Sequence, residues 1–338
     1  MIYRLPLLRA AALAPPEMPA LRGQRALRIY AIQELTRTSP PRVRAFDPAM
    51  DANLTMPLPP CCGLSLERPV IMGILNVTPD SFSDGGRFAS QEHAFLQARA
   101  MVAAGAGIID IGGESTRPGA EEVPIAEEIA RTAPLIRALR DEGITTPISI
   151  DTRKAAVAAA ALAAGADIVN DVSALTWDRE LAHVVAEAGV PLCVMHAQGT
   201  PQTMQKNPQY ENVSLDVRDW LEAAIGRAEA AGIARAKLIV DPGIGFGKTL
   251  AHNLALLNTL GLAHETGCAI LLGASRKRFI GTLSGVEEAG LRMAGSLAVA
   301  LHGAAQGAQI LRVHDVEETR QALALWQALN EADNGVQA

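Results

Sequence analysis

Polar and charged side chains follow eight short apolar runs of this sequence, each at the point where the run ends. They are Asn76, Asp110, Asp151, Asn170 with Asp171, His196, Asp241, Ser275 with Lys277, and Arg312 with His314. A single Asp or Asn in such a place commonly caps the helix that follows. All eight runs end in this way, however, and lysine and arginine are among the residues, which capping does not explain. These side chains are therefore the candidates for chemistry.

Three of the candidates share short, rigid side chains. Asp151, Asn170 and Asp241 present hydrogen-bond acceptors, and Asn170 also presents a donor. Such groups can pair with the amide and amino edge of a flat heterocycle. Buried carboxylates need partners of this kind because their desolvation is costly. The three residues therefore predict a site for a flat heterocyclic ligand.

A second set of candidates supplies positive charge or N–H donors. Lys277, Arg312 and His314 suit a phosphate-bearing group, and a guanidinium can bind it through two hydrogen bonds. Asn76 offers an oxygen ligand to a divalent cation that would screen the phosphate. The net charge of −6 does not oppose this, because a few local cations can hold an anion whatever the global sign.

Two segments rich in Gly, Ser, Thr and Pro follow the first two runs. NVTPDSFSDGG (76–86) and GGESTRPGA (112–120) are long enough to act as mobile covers over a site. A third segment, DPGIGFGKT (241–249), is similar to a P-loop, but Pro242 stands where that motif requires glycine, which argues against a nucleoside triphosphate site. Without an H-E-x-x-H pair, zinc catalysis is not expected either.

The apolar runs have the length of strands and alternate with longer, helix-periodic segments. The predicted strands cover 70–75, 107–111, 147–150, 167–170, 191–195, 237–241, 269–273 and 308–313. The predicted helices lie near 91–104, 125–141, 153–164, 178–188, 212–231, 250–264, 287–304 and 315–331. Eight apolar strands, each followed by a helix, predict an α/β fold of the (β/α)8 TIM-barrel class. The first strand runs into NVTPDSFSDGG rather than G-x-G-x-x-G, which argues against a dinucleotide-binding fold.

Residues 1–66 differ from the rest and hold ten of the 20 prolines. We interpret them as an N-terminal extension of unknown role, with one strand near Leu27–Ile32 and little core of its own, ahead of a barrel over 67–338. The content of 4% aromatic residues and the acidic charge argue against nucleic-acid binding. The longest uncharged stretch, 293–311, is a poor membrane span because of its glutamines and glycines. Four cysteines without metal or disulfide spacing favour the cytoplasm, although the Arg-rich N-terminus is also compatible with a transit peptide.

Seven motifs, in collinear order over about 69–331, resemble the dihydropteroate synthase family. They are MGILNVTPDSFSDGG (72–86), IDIGGESTRPGA (109–120), ISIDTRK (148–154), IVNDVSA (168–174), LIVDPGIGFGK (238–248), GASRKRFIG (273–281) and RVHDV (312–316). The resemblance implies a (β/α)8 barrel, a homodimer and a sulfonamide target. It also implies condensation of 6-hydroxymethyl-7,8-dihydropterin diphosphate with 4-aminobenzoate, which gives 7,8-dihydropteroate and diphosphate.

The resemblance also implies residue roles. Residues expected to bind the pterin are Asp151, Asn170, Met195, Asp241, Phe246, Gly273 and Lys277. Residues expected at the diphosphate are Asn76, which would share Mg²⁺ with it, Arg312 and His314. Residues expected at the aminobenzoate are Phe82, Thr116, Arg117, Pro118 and Ser275. The catalytic set implied is Asn76, Arg117, Lys277, Arg312 and His314.

The sequence departs from many relatives at two positions. Arg278 stands where many carry serine near the aminobenzoate carboxylate, and its backbone N–H at a helix start and its added cation still suit that group. Ala197 stands where some relatives have a bulkier residue and is expected to adjust the pocket wall without altering the chemistry. Two alternatives are the pterin-binding domain of corrinoid-linked methyltransferases and an inactive paralogue that binds pterin or regulates a partner. The joint presence of the S-R-K and R-V-H signatures and the first segment argues against the methyltransferase domain. An inactive paralogue should have lost residues of the first segment or the diphosphate site, yet all of them are present, namely Asn76, Asp80, Arg117, Arg312 and His314.

Overall fold

The computed structural model describes residues 1–77, 86–115, 119–199 and 203–331, with the backbone alone for 86–90. Its first part is a three-stranded antiparallel sheet in the order β1 (Tyr3–Ala10), β2 (Leu27–Leu35) and β3 (Arg42–Arg44), followed by the short helix α1 (Pro48–Asp51). The predicted strand near Leu27–Ile32 is present as part of β2, but β1 and β3 were not predicted. Pro6 and the flanking arginines obscure the alternation of β1, and β3 is too short to show a period.

The N-terminal sheet has a small hydrophobic core. Leu21, Ile29, Ile32 and Leu54 are nearly or fully buried and pack together. The same region is fixed to the barrel by Gln24, whose Nε2 donates to the carbonyl of Gly307 at 2.9 Å. Gly307 precedes the last barrel strand, so the extension covers part of the amino-terminal end of the barrel.

Eight parallel strands form the closed barrel that the sequence predicts. They are β4 (Val70–Asn76), β5 (Ile108–Gly112), β6 (Ile148–Asp151), β7 (Ile168–Asp171), β8 (Leu192–Met195), β9 (Leu238–Asp241), β10 (Ala269–Leu272) and β11 (Ile310–Val313). Each strand pairs with the next, and β11 closes the barrel on β4 through Ile310–Val70 and Val313–Gly73. The (β/α)8 fold class is confirmed.

The helices that surround the barrel largely match the predicted ones. They are α2 (Gly86–Ala103), α3 (Ile125–Asp141), α4 (Ala155–Ala164), α5 (Glu180–Ala188), α6 (Val213–Ala230), α7 (Leu250–Asn258), α8 (Arg278–Ser284), α9 (Met293–Ala305) and α10 (Val316–Asn330). The short helix α8 was not predicted. It has two turns only and lies within the S-R-K motif, where apolar periodicity has no room to appear. None of the helices in the described ranges is long and apolar enough to cross a membrane.

Side chains along each strand alternate between the helices and the barrel interior. Outward residues such as Ile109, Val169 and Val240 join the main hydrophobic core, which lies between the sheet and the helices. Inward residues such as Ile108 and Ile239 form a separate apolar layer at the amino-terminal end of the barrel. This layer fills the lower barrel, and the polar strand ends lie beyond it at the carboxyl-terminal end.

Candidate active site

The residues that follow the apolar layer, two positions further along each strand, form the floor of the barrel mouth. The layer includes Ile108, Ile168, Cys193, Ile239, Leu271 and Ile310. Two residues later stand Asp110, Asn170, Met195, Asp241, Gly273 and Arg312. Because side chains repeat every two residues along a strand, these must face the interior as well. Because side chains alternate along each strand, the residues at these strand ends lie together and form one largely polar floor.

Arg312 holds two carboxylates at this floor. Its Nε donates to Asp110 Oδ2 at 2.6 Å, and its Nη2 donates to Asp151 Oδ2 at 2.7 Å. Asn170 adds a long contact from Nδ2 to Asp110 Oδ1 at 3.4 Å and Oδ2 at 3.3 Å. Asp110 is fully buried, and Asp151 and Asn170 are 7% and 4% exposed. The structure thus brings together three predicted site residues and places Asp110 behind them.

Asp151 has an unmet hydrogen-bond acceptor. Within the described part of the chain, no donor reaches its buried Oδ1. Burial raises the pKa of Asp151 to about 7, against the opposing effect of the Arg312 cation and with support from the Asp110 charge. An unpaired buried carboxylate oxygen is costly unless a ligand supplies the donor. Asp151 is therefore set up to receive an N–H group from a ligand.

Asp241 and Lys277 form the opposite side of the floor. Asp241 Oδ1 accepts from the backbone N–H of Gly243 at 2.7 Å, and burial raises the pKa of the carboxyl despite the Lys277 charge. Lys277 donates to the carbonyl of Ile244, and its Nζ lies 4.6 Å from the ring centroid of Phe246. Burial lowers the pKa of Lys277 to about 8. An acceptor, a cation and an aromatic face are thus gathered at one edge.

Ser275 and His314 lie together above Arg312. Ser275 Oγ is 3.0 Å from His314 Nδ1 and accepts from the His314 backbone N–H at 3.2 Å. Between Ser275 and Lys277, Arg276 has a left-handed φ of 59° and pairs with Asp315 through its Nε at 3.1 Å. A non-glycine residue in this left-handed region is uncommon and often marks a functional turn.

Lys248 holds the segment that follows β9. Its buried Nζ lies 2.8 Å from His196 Nδ1 and donates to the carbonyls of Gly243 at 2.8 Å and Phe246 at 3.0 Å. Burial, followed by the Lys248 charge, lowers the pKa of His196 to about 2, so its ring is neutral and Nδ1 can accept. Gly243 cannot be replaced here, since φ is +68° and an added Cβ would lie 1.8 Å from the His196 carbonyl oxygen. Lys248, the lysine of the P-loop-like motif, thus stabilises the turn that follows β9.

Some of the remaining predicted residues lie in the described part of the chain, and others lie outside it. Asn76 ends β4 beside Gly112, Met195 ends β8 beside Asp241, and Gly273 follows β10. An added Cβ at Gly273 would lie 3.5 Å from Asp241 Oδ2. The residues predicted at the aminobenzoate that lie outside the described residues are Phe82, Thr116, Arg117 and Pro118.

Sequence reasoning includes Asp110 among the strand-end candidates but gives it no role, and it gives no role to Lys248. Asp110 was recognised as a strand-end residue, and its position two residues after Ile108 was the signal that it faces the interior. Lys248 gave no such signal, because its role depends on His196, which is 52 residues away in the chain.

Comparisons with known proteins agree with this geometry. Residues 72–314 match the family described as pterin binding enzyme. The chain is 48% identical over 265 residues to the dihydropteroate synthase of Escherichia coli strain K12, which covers 78% of this chain and 93% of that protein.

Solved structures give the same result. The dihydropteroate synthase of Yersinia pestis, in complex with a sulfonamide drug, is 47% identical with a TM-score of 0.74, and the match covers 79% of this chain and 96% of that one. The Xanthomonas albilineans enzyme with 4-aminobenzoic acid is 46% identical with a TM-score of 0.75, and the match covers 80% and 96%. By sequence and by fold, the chain belongs to the dihydropteroate synthase family of pterin-binding (β/α)8 barrels.

Proposed function

We propose that separate groups of residues at the barrel mouth bind the pterin, the diphosphate and the aminobenzoate in the reaction of this family. The chain is a transferase of folate biosynthesis that condenses 6-hydroxymethyl-7,8-dihydropterin diphosphate with 4-aminobenzoate, giving 7,8-dihydropteroate and diphosphate. The observation that carries the proposal is the unpaired, buried Oδ1 of Asp151 at the floor of the mouth.

The pterin ring is assigned to the polar floor. A pterin edge carries ring N–H, amino and carbonyl groups, so it requires both acceptors and donors. Asp151 Oδ1 and the Asp241 carboxylate are the acceptors, and Asn170 can supply both kinds of group. Met195, 4% exposed, lines the slot, and Phe246 offers an aromatic face.

The diphosphate is assigned to the cations of the floor and to the donor beside them, namely Arg312, Lys277 and His314. Arg312 is held by two carboxylates, which fixes its guanidinium in place without ligand. His314 follows the same strand as Arg312, and Lys277 follows the adjacent strand β10, so positive charge and donors are concentrated where the leaving group departs. Preorganised donors of this kind stabilise developing negative charge without reorganisation during the reaction.

Asn76 fits a magnesium ion carried by the diphosphate. Among the described residues no group of three or more His, Cys, Asp or Glu side chains could hold a metal. Mg²⁺ commonly takes only one or two protein ligands and completes its shell with water and substrate phosphates. The half-buried Asn76 side chain at the end of β4 provides one such oxygen, and the bound ion would neutralise charge on the leaving group.

The chemistry requires no protein nucleophile. The amine of 4-aminobenzoate forms a bond to the methylene carbon of the pterin, the bond from that carbon to the diphosphate oxygen breaks, and the amine releases one proton. The pterin ring can delocalise positive charge as the diphosphate leaves. The protein's contribution is alignment and charge neutralisation, with Arg117 and Thr116 assigned to the carboxylate and wall of the aminobenzoate site.

The proposal also includes a homodimeric assembly and a cytoplasmic location. Four large apolar side chains on or beside α8–α10 are exposed, namely Leu283, Leu291, Leu325 and Leu329. Their burial in a homodimer would remove apolar surface from water. Sedimentation velocity would detect the dimer. All four cysteines are free, which supports a reducing, cytoplasmic setting.

The activity is tested with the purified protein, Mg²⁺ and both substrates. We expect dihydropteroate and diphosphate in equal amounts, no product when either substrate is omitted, and inhibition by a sulfonamide that rising aminobenzoate relieves. Diphosphate release without dihydropteroate would contradict the synthase assignment, and sulfonamide inhibition that aminobenzoate leaves unchanged would contradict a shared pocket.

A further inference from the structure

A cavity of about 210 Å³ lies at the amino-terminal end of the barrel, opposite the mouth. Part of its wall comes from residues 58–66 of the N-terminal extension, and the rest comes from the segments that lead into β8, β9 and β10. Three of the four cysteines line it, namely Cys61, Cys62 and Cys268. The proposed function uses none of these thiols, so their grouping in one cavity calls for a separate explanation.

A tight turn holds two of these cysteines together. Cys61 and Leu64 exchange backbone hydrogen bonds, with N–O distances of 3.0 and 2.8 Å. The two residues between them, Cys62 and Gly63, have φ angles of 48° and 79°, which is the pattern of a type I′ turn. Asparagine or glycine usually occupies the first central position, and a cysteine there has an uncommon conformation. The Cys62 thiol is thus held in place at a cost to the backbone.

The two adjacent thiols lie side by side. The hydrogen bond between them lowers the pKa of Cys61 against the effect of burial, and together with burial it raises the pKa of Cys62. Cys268 is directed elsewhere, since its Sγ lies 3.8 Å from the carbonyl oxygen of Arg235. Cys61 and Cys62 therefore form a two-sulfur group, in which Cys61 is the first to supply a thiolate, the reactive form.

The cavity beside this pair is mainly apolar. Leu58, Leu238 and Ile239 are among its lining residues. An apolar cavity of about 150 Å³ can hold a benzene molecule, so this one has room for an aromatic ring and one further heavy atom. Cys62 is half-buried, which leaves the pair accessible to a small reagent.

We propose that Cys61, Cys62 and this cavity form a binding site for an aryl compound of trivalent arsenic. Arsenic(III) is a soft centre that favours thiolate ligands. It enters as the aryl dihydroxide. Two As–O bonds and two S–H bonds break, two As–S bonds and two O–H bonds form, and two water molecules leave. The oxidation states of arsenic and sulfur do not change, so the step needs no oxidant or reductant.

The geometry selects this ligand over other thiol-binding species. Zinc takes four ligands, and no group of three or more His, Cys, Asp or Glu in the described ranges could hold a metal. A linear ion such as Hg²⁺ places its two sulfurs on opposite sides, whereas the sulfurs of Cys61 and Cys62 are in contact. Pyramidal arsenic(III) keeps two sulfurs close together and directs its carbon substituent away from them, and the apolar cavity can receive that group.

The test measures binding of phenylarsine oxide to the full chain, kept reduced with a phosphine, by native mass spectrometry and by competition with dithiothreitol. Cys62→Asn removes one thiol and introduces a residue that suits the turn, so its melting temperature should stay close to that of the wild type. Cys61→Ala removes the other thiol and decides if Cys62→Asn does not fold. Cys268→Ala is the matched control, because it removes a thiol of the same cavity that lies outside the pair.

We expect the wild type to bind one phenylarsenic group per chain in place of two thiol hydrogens. Cys62→Asn and Cys61→Ala should lose about a hundredfold or more in affinity, because the second thiol acts at a high effective concentration. Cys268→Ala should stay within about twofold of the wild type. Burial of the ring should make the preference for phenyl over methyl arsenic(III) about tenfold greater than that of dithiothreitol, which has no cavity.

The inference is overturned if Cys62→Asn and Cys61→Ala bind as tightly as the wild type, or if Cys268→Ala weakens binding as much as they do. It is also overturned if the protein and dithiothreitol show the same preference for phenyl over methyl, since the cavity then contributes nothing. The site lies at the end of the barrel opposite the mouth, so arsenic binding and dihydropteroate formation are separate measurements, and either can fail without the other.

Discussion

The charge balance at the floor of the mouth gives a quantitative prediction for Arg312→Met. This change leaves the fully buried Asp110 and the nearly buried Asp151 without the cation that now lies 2.6 and 2.7 Å away. Loss of one partner from a buried ion pair costs about 3–5 kcal/mol. The Arg312 side chain is 20% exposed, so water moderates the loss, and we expect about 3 kcal/mol from the free energy of unfolding.

The cost of Arg312→Met should also depend on pH. The pKa of Asp151 is already raised to about 7 by burial, and without Arg312 it rises further. An unfolded aspartate has a pKa of about 3.9, so between these values the folded state binds a proton that the unfolded state lacks. The stability that this proton on Asp151 contributes is present at low pH and is lost as pH rises through the pKa of the folded state. The loss is up to about 1.4 kcal/mol per pH unit for one group.

The assay is urea unfolding at pH 6 and at pH 8.5, with Arg25→Met as the control. Arg25 pairs with Glu67 at 2.9 Å on the surface, where both side chains are at least half exposed, and such pairs contribute about 0–1 kcal/mol. We expect the deficit of Arg312→Met to be larger at pH 8.5 than at pH 6. A deficit no larger than that of the control, or one that does not change with pH, would refute the reasoning.

Other predictions follow from the same contacts. Because the pKa of Lys277 is about 8, kcat/KM for pterin diphosphate should fall above that pH, and Lys277→Arg should move the fall to higher pH in a rate profile. Arg312→Ala should slow turnover and weaken binding of pterin diphosphate, while Arg117→Ala should mainly raise the aminobenzoate KM; equal effects of Arg117→Ala on both substrates would contradict its role. Gln24→Leu should cost about 1–3 kcal/mol in urea unfolding, because it leaves the Gly307 carbonyl without its donor, and should spare kcat.

The parts of the fold and site that followed from the sequence depend on local pattern. The eight strands and their polar ends could be predicted because apolar runs and period-2 alternation are properties of neighbouring residues. Asp151, Asn170 and Asp241 were found in this way, and the barrel then brings them together.

The parts that did not follow from the sequence depend on distant partners. The buried ion pair of Lys154 with Glu114 spans 40 residues, and the contact from Arg312 to Asp110 spans 202. No window of sequence contains both members of either pair. Strand β1 was missed for a related reason, since Tyr3 of β1 pairs with the distant Leu35 of β2, and Pro6 interrupts the periodicity of β1.

The central claim is that this barrel mouth makes dihydropteroate on a floor formed by buried carboxylates. It is tested most directly by turnover of the wild type beside Asp241→Asn, with circular dichroism to show that both are folded. Asp241→Asn removes an acceptor assigned to the pterin and preserves the size of the side chain. We expect the wild type to form dihydropteroate and the variant to lose at least about a hundredfold in kcat/KM for pterin diphosphate. A wild type without product, or a folded variant at the wild-type rate, would contradict the account.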